Sequence, residues 1–303
     1  MSAIIKFLAG AACISAFVGC QTGPGGAPSA VKYMPANGAR LPYVEQGQGT
    51  PVVFVHGAVS DHRTWERQRE AVSTRYRAIA YTQRYFGTEP WDKNGPKFGV
   101  QTHADDLVAF IRGLNAGPVH LVAWSYGGHI VLNVALKNPE LVKSAFVFEP
   151  AVPSYVTDTE QLKALADDAR ALFGPIAQAV QAGDNAAAVR RLIDGVGGRE
   201  GYFAAQPASA QGIQMDSAGS MALIQSNQAP PPLISCAQLG EIKPSVAIVR
   251  GELARPFFKT IADAAARCIP TGRHVIAPKA NHMWPSEDPQ GFSQALMGFL
   301  KDK

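Results

Sequence analysis

Ser125 lies in the run Ala123-Trp124-Ser125-Tyr126-Gly127-Gly128. Before it, Val119 to Ala123 is apolar and short and reads as a buried strand; after it, Ile130 to Leu136 reads as an apolar helix. A serine on a sharp strand-to-helix turn needs small residues two places to either side, and Ala123 and Gly127 supply them. The helix start favours negative charge beside the hydroxyl. A serine hydroxyl is a poor nucleophile near neutral pH. It needs a base within hydrogen-bond reach, and the base needs an acid that fixes its tautomer. Of seven histidines, His282 is best placed, in a loop between the last predicted strand and the closing helix. His120 falls inside a strand and reads as packing, and His129 follows the glycines and reads as packing near the site. His62, His103 and His274 show no partner pattern. Two carboxylates, Glu149 and Glu252, follow predicted strands and can reach the same sheet edge. The residue types alone leave the choice between them open.

The elements that must position these groups alternate. Val31 to Met34 and Leu41 to Gln46 read as two edge strands joined at Asn37-Gly38, a hairpin signal. Pro51 to Val55 has the look of a central strand buried on both faces, and it runs into His56-Gly57-Ala58. Trp65 to Val72 reads as helix, Tyr76 to Tyr81 as strand, and His103 to Leu114 as an amphipathic helix opened by Asp105 and Asp106. Tyr85, Phe86 and Trp91 either line a pocket or only pack their loop. Ala145 to Phe148 is the next strand. From Glu149 to about Leu239 the strand pattern stops, and Asp158 to Gln181, Asn185 to Ile193 and Met215 to Gln225 read as helices. Pro230-Pro231-Pro232 marks the return. Ser245 to Arg250 and His274 to Ile276 are strands around the helix Pro256 to Ala266, and Gly291 to Leu300 closes the chain. Such alternation argues a mainly parallel sheet covered on both faces, with ligands at the carboxyl ends of its strands.

Composition bounds the function. With 47% hydrophobic and 17% charged residues over 303 positions, the chain suits one α/β domain with an insertion. The net charge of +4 is spread without a Lys/Arg cluster, so no nucleic-acid partner is expected. No metal-ligand cluster stands out and no Gly-rich phosphate loop follows a strand, so no cofactor is expected. The chain opens with Lys6 and the apolar run Phe7 to Val18, too short for a mature membrane span. Cys236 and Cys268 form an isolated pair in the mature domain; in an oxidising compartment such a pair favours a disulfide, the alternative being two buried thiols.

Four ordered features carry a resemblance to the α/β-hydrolase superfamily: His56-Gly57, the Ser125 turn, the helical stretch after Glu149, and Asn281-His282 before the last helix. The resemblance implies an α/β-hydrolase sheet with helices on both faces and a helical cap inserted after the sixth strand. The core then comprises 31–150 and 240–303, and the cap 151–239. It implies an oxyanion hole from the backbone N–H groups of Ala58 and Tyr126, with the His56 side chain bracing its loop. Most relatives carry an Asp three residues past the glycine that ends the seventh strand, where this chain has Ala254. Some capped relatives carry the acid at the end of the sixth strand, which is Glu149 here. That favours Ser125–Glu149–His282, with Glu252 as the alternative acid. Phe17-Val18-Gly19-Cys20 resembles a bacterial lipobox, which implies a signal peptide over 1–19, lipidation at Cys20 and a flexible tether over 20–30. A periplasm-facing lipoprotein, held at the outer membrane by that anchor alone, is the expected address.

The nucleophile narrows the reaction. A serine that attacked an alkyl halide or epoxide would be left as a stable ether, so dehalogenase and epoxide-hydrolase chemistry are disfavoured. Acyl transfer remains: hydrolysis of a carboxylic ester or lactone of a small to medium hydrophobic substrate through an acyl-serine. C–C bond hydrolysis or perhydrolysis on the same triad is the alternative. A hydrolase-fold lipoprotein that only binds is the alternative of another class. The sequence leaves the oligomeric state open.

Overall fold

The computed structural model describes residues 30–92, 94–226, 232–301 and 303. The apolar leader, Cys20, most of the tether, and Pro230-Pro231 lie outside the described residues. Eight strands form one sheet: β1 (Lys32–Ala36), β2 (Ala39–Gln46), β3 (Pro51–Val55), β4 (Arg77–Tyr81), β5 (Val119–Trp124), β6 (Val142–Phe148), β7 (Ser245–Gly251) and β8 (Arg273–Ala277). Their order is β1-β2-β4-β3-β5-β6-β7-β8. The pairs β1–β2 and β2–β4 are antiparallel and the rest parallel. β2 is therefore interior, bonded on both sides, and not the edge strand expected of it. Asn37 and Gly38 make the β1–β2 turn with φ of 46° and 79°, the left-handed pair that a tight hairpin requires.

The helices outside the insertion are α1 (Glu66–Val72), α2 (Val100–Leu114) and α3 (Tyr126–Lys137) before it, with α10 (Pro256–Cys268), α11 (Trp284–Glu287) and α12 (Pro289–Lys301) after it. α1 packs on the last of these and α2 packs on α3 and β1. Every residue of β3 and β5 is buried, which an apolar strand achieves only with helices on both of its faces. α2 starts three residues earlier than its apolar pattern suggests, so Asp105 and Asp106 sit in its second turn and not at its opening. Asp106 instead meets the buried Arg84, whose Nε and Nη2 each donate at 2.8 Å. Arg84 Nη2 also donates to the Ala36 and Asn37 carbonyls, fixing the β1–β2 turn on the core.

Between β6 and β7 the described residues hold only helices: α4 (Thr159–Gln181), α5 (Asn185–Gly197), α6 (Tyr202–Ala205), α7 (Ala208–Asp216), α8 (Ser220–Gln225) and α9 (Cys236–Leu239). Their starts are written locally. Asp158 accepts from the Gln161 N–H at 2.8 Å and Asp184 from the Ala187 N–H at 2.7 Å, caps worth about 1 kcal/mol each. Ser235 and Gln238 form a reciprocal capping box on α9. The stretch expected as one helix over Met215 to Gln225 is broken at Ser217–Gly219. α4 and α5 pack on each other. Arg255, just before α10 (Pro256–Cys268), ties both to the core: it pairs with Asp168 at 2.6 Å and donates to the Gly195 carbonyl at 2.7 Å. After β8 come α11 (Trp284–Glu287) and α12 (Pro289–Lys301).

A disulfide joins Cys236 to Cys268, across a sequence separation of 32. It links the first residue of α9 to the last of α10, either side of β7. Constraining a loop of this size stabilises by about 2–4 kcal/mol. Native protein should weigh two hydrogens less than reduced protein, and reduction should lower the thermal midpoint; two free thiols in the native protein would contradict the bridge.

Candidate active site

Ser125 stands between β5 and α3 with φ of 57° and ψ of −120°. A non-glycine residue holds that backbone only where neighbours over-determine it. Its N–H donates to the Phe148 carbonyl at 2.9 Å, and its carbonyl accepts from the Gly128 N–H at 2.9 Å. A Cβ on Gly127 would lie 2.6 Å from the His56 carbonyl oxygen, so only glycine lets the first turn of α3 press on the end of β3. The loop after β3 also approaches closely: a Cβ on Gly57 would stand 3.2 Å from the Ser125 Cβ. Ala58, Ser125, Tyr126 and His282 line one cavity of about 1340 Å³.

His282 arrives on the loop after β8. Its Nδ1 lies 2.6 Å from Glu149 Oε2, and its carbonyl accepts from Trp124 Nε1 at 2.9 Å. The Phe258 ring stacks on the imidazole at 3.6 Å between centroids, with 12° between planes. Glu149 is fully buried and has φ of 46°, a second strained backbone at the carboxyl edge of the sheet. Its N–H donates to the Val249 carbonyl at 2.9 Å, which holds the strain in place. Its Oε1 accepts from the Gly251 N–H at 2.7 Å, so both carboxylate oxygens are engaged. A carboxylate at Nδ1 places the ring proton there and leaves Nε2 as the basic nitrogen.

The structure brings Ser125, Glu149 and His282 to one edge and does not bring Glu252 to the imidazole. Glu252 is exposed, and its Oε2 accepts from the Lys279 N–H at 2.9 Å, closing the turn after β8. Lys279 has φ of 57°, and that side-chain bond supports its left-handed backbone. The carboxylate is therefore engaged by its own turn.

The other histidines have partners that the sequence pattern did not carry. His56 is buried, and the Gln83 N–H donates to its Nε2 at 3.0 Å. Its Nδ1 then carries the proton and donates to the Gly57 carbonyl at 2.7 Å. Burial lowers its pKa to about 4, so it braces the loop as a neutral ring. His103 Nε2 donates to the Arg84 carbonyl at 3.1 Å, which leaves Nδ1 to accept from the Tyr126 hydroxyl at 2.8 Å. Burial lowers the His103 pKa to about 3. His62 Nδ1 meets Thr82 Oγ1 at 2.7 Å, His120 Nδ1 meets Ser144 Oγ at 2.7 Å, and His274 meets Asp263 at 3.0 Å. His129 Nε2 donates to the Pro232 carbonyl at 2.9 Å, beneath the returning cap segment. Tyr85, Phe86 and Trp91 form no part of the cavity wall: Tyr85 and Trp91 pack within their loop, and Phe86 lies behind the site with its ring against His56, His103 and Tyr126. Sequence reading missed Phe258 and Gly251 as supports of the site. Both looked ordinary, an apolar residue on a helix face and a strand-end glycine.

A family match decides the superfamily. Residues 52–295 match the profile of the Alpha/beta hydrolase family. The chain belongs to the alpha/beta hydrolase family. It is 28% identical over 274 residues to 2-(acetamidomethylene)succinate hydrolase of Mesorhizobium japonicum, covering 84% of this chain and 90% of that one. Among solved structures it is similar to a thermophilic esterase from Thermogutta terrifontis, with a TM-score of 0.69, 21% identity, and coverage of 90% of this chain and 99% of that one. It is also similar to the enol-lactonase from Burkholderia xenovorans, with a TM-score of 0.69, 18% identity, and coverage of 89% and 100%. At these identities the structural likeness shows the fold, and the site geometry must carry the chemistry. As a family member the chain is a hydrolase on an alpha/beta hydrolase scaffold.

Proposed function

We propose that this alpha/beta hydrolase cleaves a carboxylic ester or lactone of a small to medium hydrophobic substrate through an acyl-serine on Ser125. The observation that carries the reading is the 2.6 Å contact of Glu149 with His282 Nδ1, beside a cavity shared by His282 and the strained Ser125. Ser125 Oγ attacks the carbonyl carbon and passes its proton to His282 Nε2. Glu149 stabilises the imidazolium that forms. The Ala58 and Tyr126 N–H groups hold the oxyanion, an effect of about 3 kcal/mol per donor. Collapse expels the alcohol, which takes the proton from His282, and water repeats the sequence in reverse to free the acid. Cap side chains such as Phe173, Ile193, Val196 and Ile224 line the cavity and suit an apolar substrate.

The expected address, export and attachment through Cys20, belongs to this proposal. The Cys236–Cys268 bridge supports it, because such bonds persist in oxidising compartments. Among the described residues no helix is long and apolar enough to cross a membrane.

A panel of p-nitrophenyl esters of graded acyl length, with aromatic lactones beside them, tests the substrate class. Turnover of at least one ester or lactone is expected. Cleavage of a 1,3-diketone with none of the esters or lactones would move the chemistry to C–C hydrolysis.

A further inference from the structure

The residue after Ala58 is Val59, buried and with φ of 47°. A β-branched residue in the left-handed region is a true backbone outlier, and it persists only when the chain on both sides is held. The side toward β3 is held by the core. Gln83 Nε2 donates to the His56 carbonyl at 2.6 Å, and the Gln83 N–H donates to the His56 ring. The side beyond Val59 is held locally, by Ser60 Oγ against Thr64 Oγ1 at 2.5 Å and the His62 N–H donating to Thr82 Oγ1 at 3.2 Å, and the Ser60 carbonyl is held from the cap. Ser217 Oγ donates to the Ser60 carbonyl at 3.1 Å and accepts from the Gly87 N–H at 2.9 Å. Next to it, Asp216 pairs with Arg63 at 2.6 Å. Ser217 is itself buried, in the break between α7 and α8.

We infer that Ser217, a cap residue, is a positioning residue for the oxyanion donor: its hydroxyl clamps Ser60 and so keeps Val59 strained and the Ala58 N–H aimed at the reaction centre. Without the clamp, Val59 relaxes toward negative φ, which swings the Ala58–Val59 peptide and, through the Ala58 Cα, pulls on the Gly57–Ala58 peptide that carries the donor N–H and whose carbonyl accepts from His56 Nδ1 at 2.7 Å. Only the developing oxyanion uses that N–H fully, so the loss falls on the transition state and not on substrate binding. The cap thus has a part in the chemistry beyond covering the cavity. The inference rests on the acyl-serine reading above, because it assigns Ser217 to the oxyanion of that reaction.

The test compares Ser217→Ala with the double variant Ser217→Ala/Val59→Gly, on the best p-nitrophenyl ester of the wild-type full chain. Ser217→Ala should lower kcat by about tenfold with KM within about twofold, less than the 10²–10³ of losing a donor outright. The double variant should recover kcat to within about threefold of wild type, because glycine holds a positive φ without strain. Circular dichroism and thermal midpoints establish that each variant is folded. Undiminished kcat in folded Ser217→Ala would overturn the inference. A loss that Val59→Gly does not rescue would overturn it equally, since a merely structural serine gives that pattern. A Ser217→Ala protein that fails to fold would do the same, by making Ser217 a folding residue. Wild-type protein that turns over no ester and no lactone would instead remove the acyl-serine reading, and this inference with it.

Discussion

Glu149→Gln should lower kcat by about 10⁴-fold while the protein stays folded and KM moves little. The size follows from which atom must face the imidazole. The Gly251 N–H donates to Oε1 at 2.7 Å and needs an acceptor there. In the glutamine variant the amide oxygen takes that place, because leaving a buried N–H unpaired is costly. The amide NH₂ must then face His282 Nδ1, where the carboxylate Oε2 stood at 2.6 Å. Two donors cannot share that contact, so the ring proton moves to Nε2, the nitrogen that takes the Ser125 proton in the proposed mechanism, and the base is lost. Glu252→Gln should change kcat by less than about threefold, because Glu252 is exposed and serves the Lys279 turn. The measurement is steady-state kinetics of both variants on one ester. The reverse ranking would move the orienting role to Glu252.

Ser125→Ala should lower kcat by about 10⁶-fold, to the residual rate left by binding and the oxyanion donors. Alanine keeps the Cβ and loses only Oγ, so packing against Gly57 and the backbone bonds to Phe148 and Gly128 remain. Its thermal midpoint should therefore match wild type closely. Folded Ser125→Ala protein with undiminished turnover would exclude this serine as the nucleophile.

Much of the sheet was legible because its strands differ in type. Pro51–Val55 is an unbroken apolar run, and all of it is buried between helices. The turn at Asn37-Gly38 was legible because few other residues hold two left-handed positions in succession. The interior place of β2 was not legible, because pairing with β4 depends on a strand that arrives later in the chain. The order of strands and the small residues around Ser125 pointed to Ser125, Glu149, Glu252 and His282 at one sheet edge. Glu149 as a contact of His282 was readable only through the missing Asp at Ala254. What stayed hidden were the polar contacts that tie distant segments together around the site. Asp106 looked like a helix-opening acid and instead fixes Arg84. His103 carried no partner pattern, yet it accepts from the hydroxyl of the residue after Ser125. Ser217 looked like the interior of a helix. There the chain gives up a helical turn and its hydroxyl bonds to Ser60 and Gly87. Helical periodicity reports burial of a face and says nothing of such polar ties.

The most direct test of the central claim is labelling of the wild-type chain with a fluorophosphonate, followed by peptide mass mapping. The reagent phosphonylates a serine only where a base removes its proton and donors hold the oxyanion. The account predicts one phosphonyl group per chain, on the peptide carrying Ser125, absent from Ser125→Ala and slowed in Glu149→Gln. A chain that takes no label, or takes it on a serine other than Ser125, would contradict it.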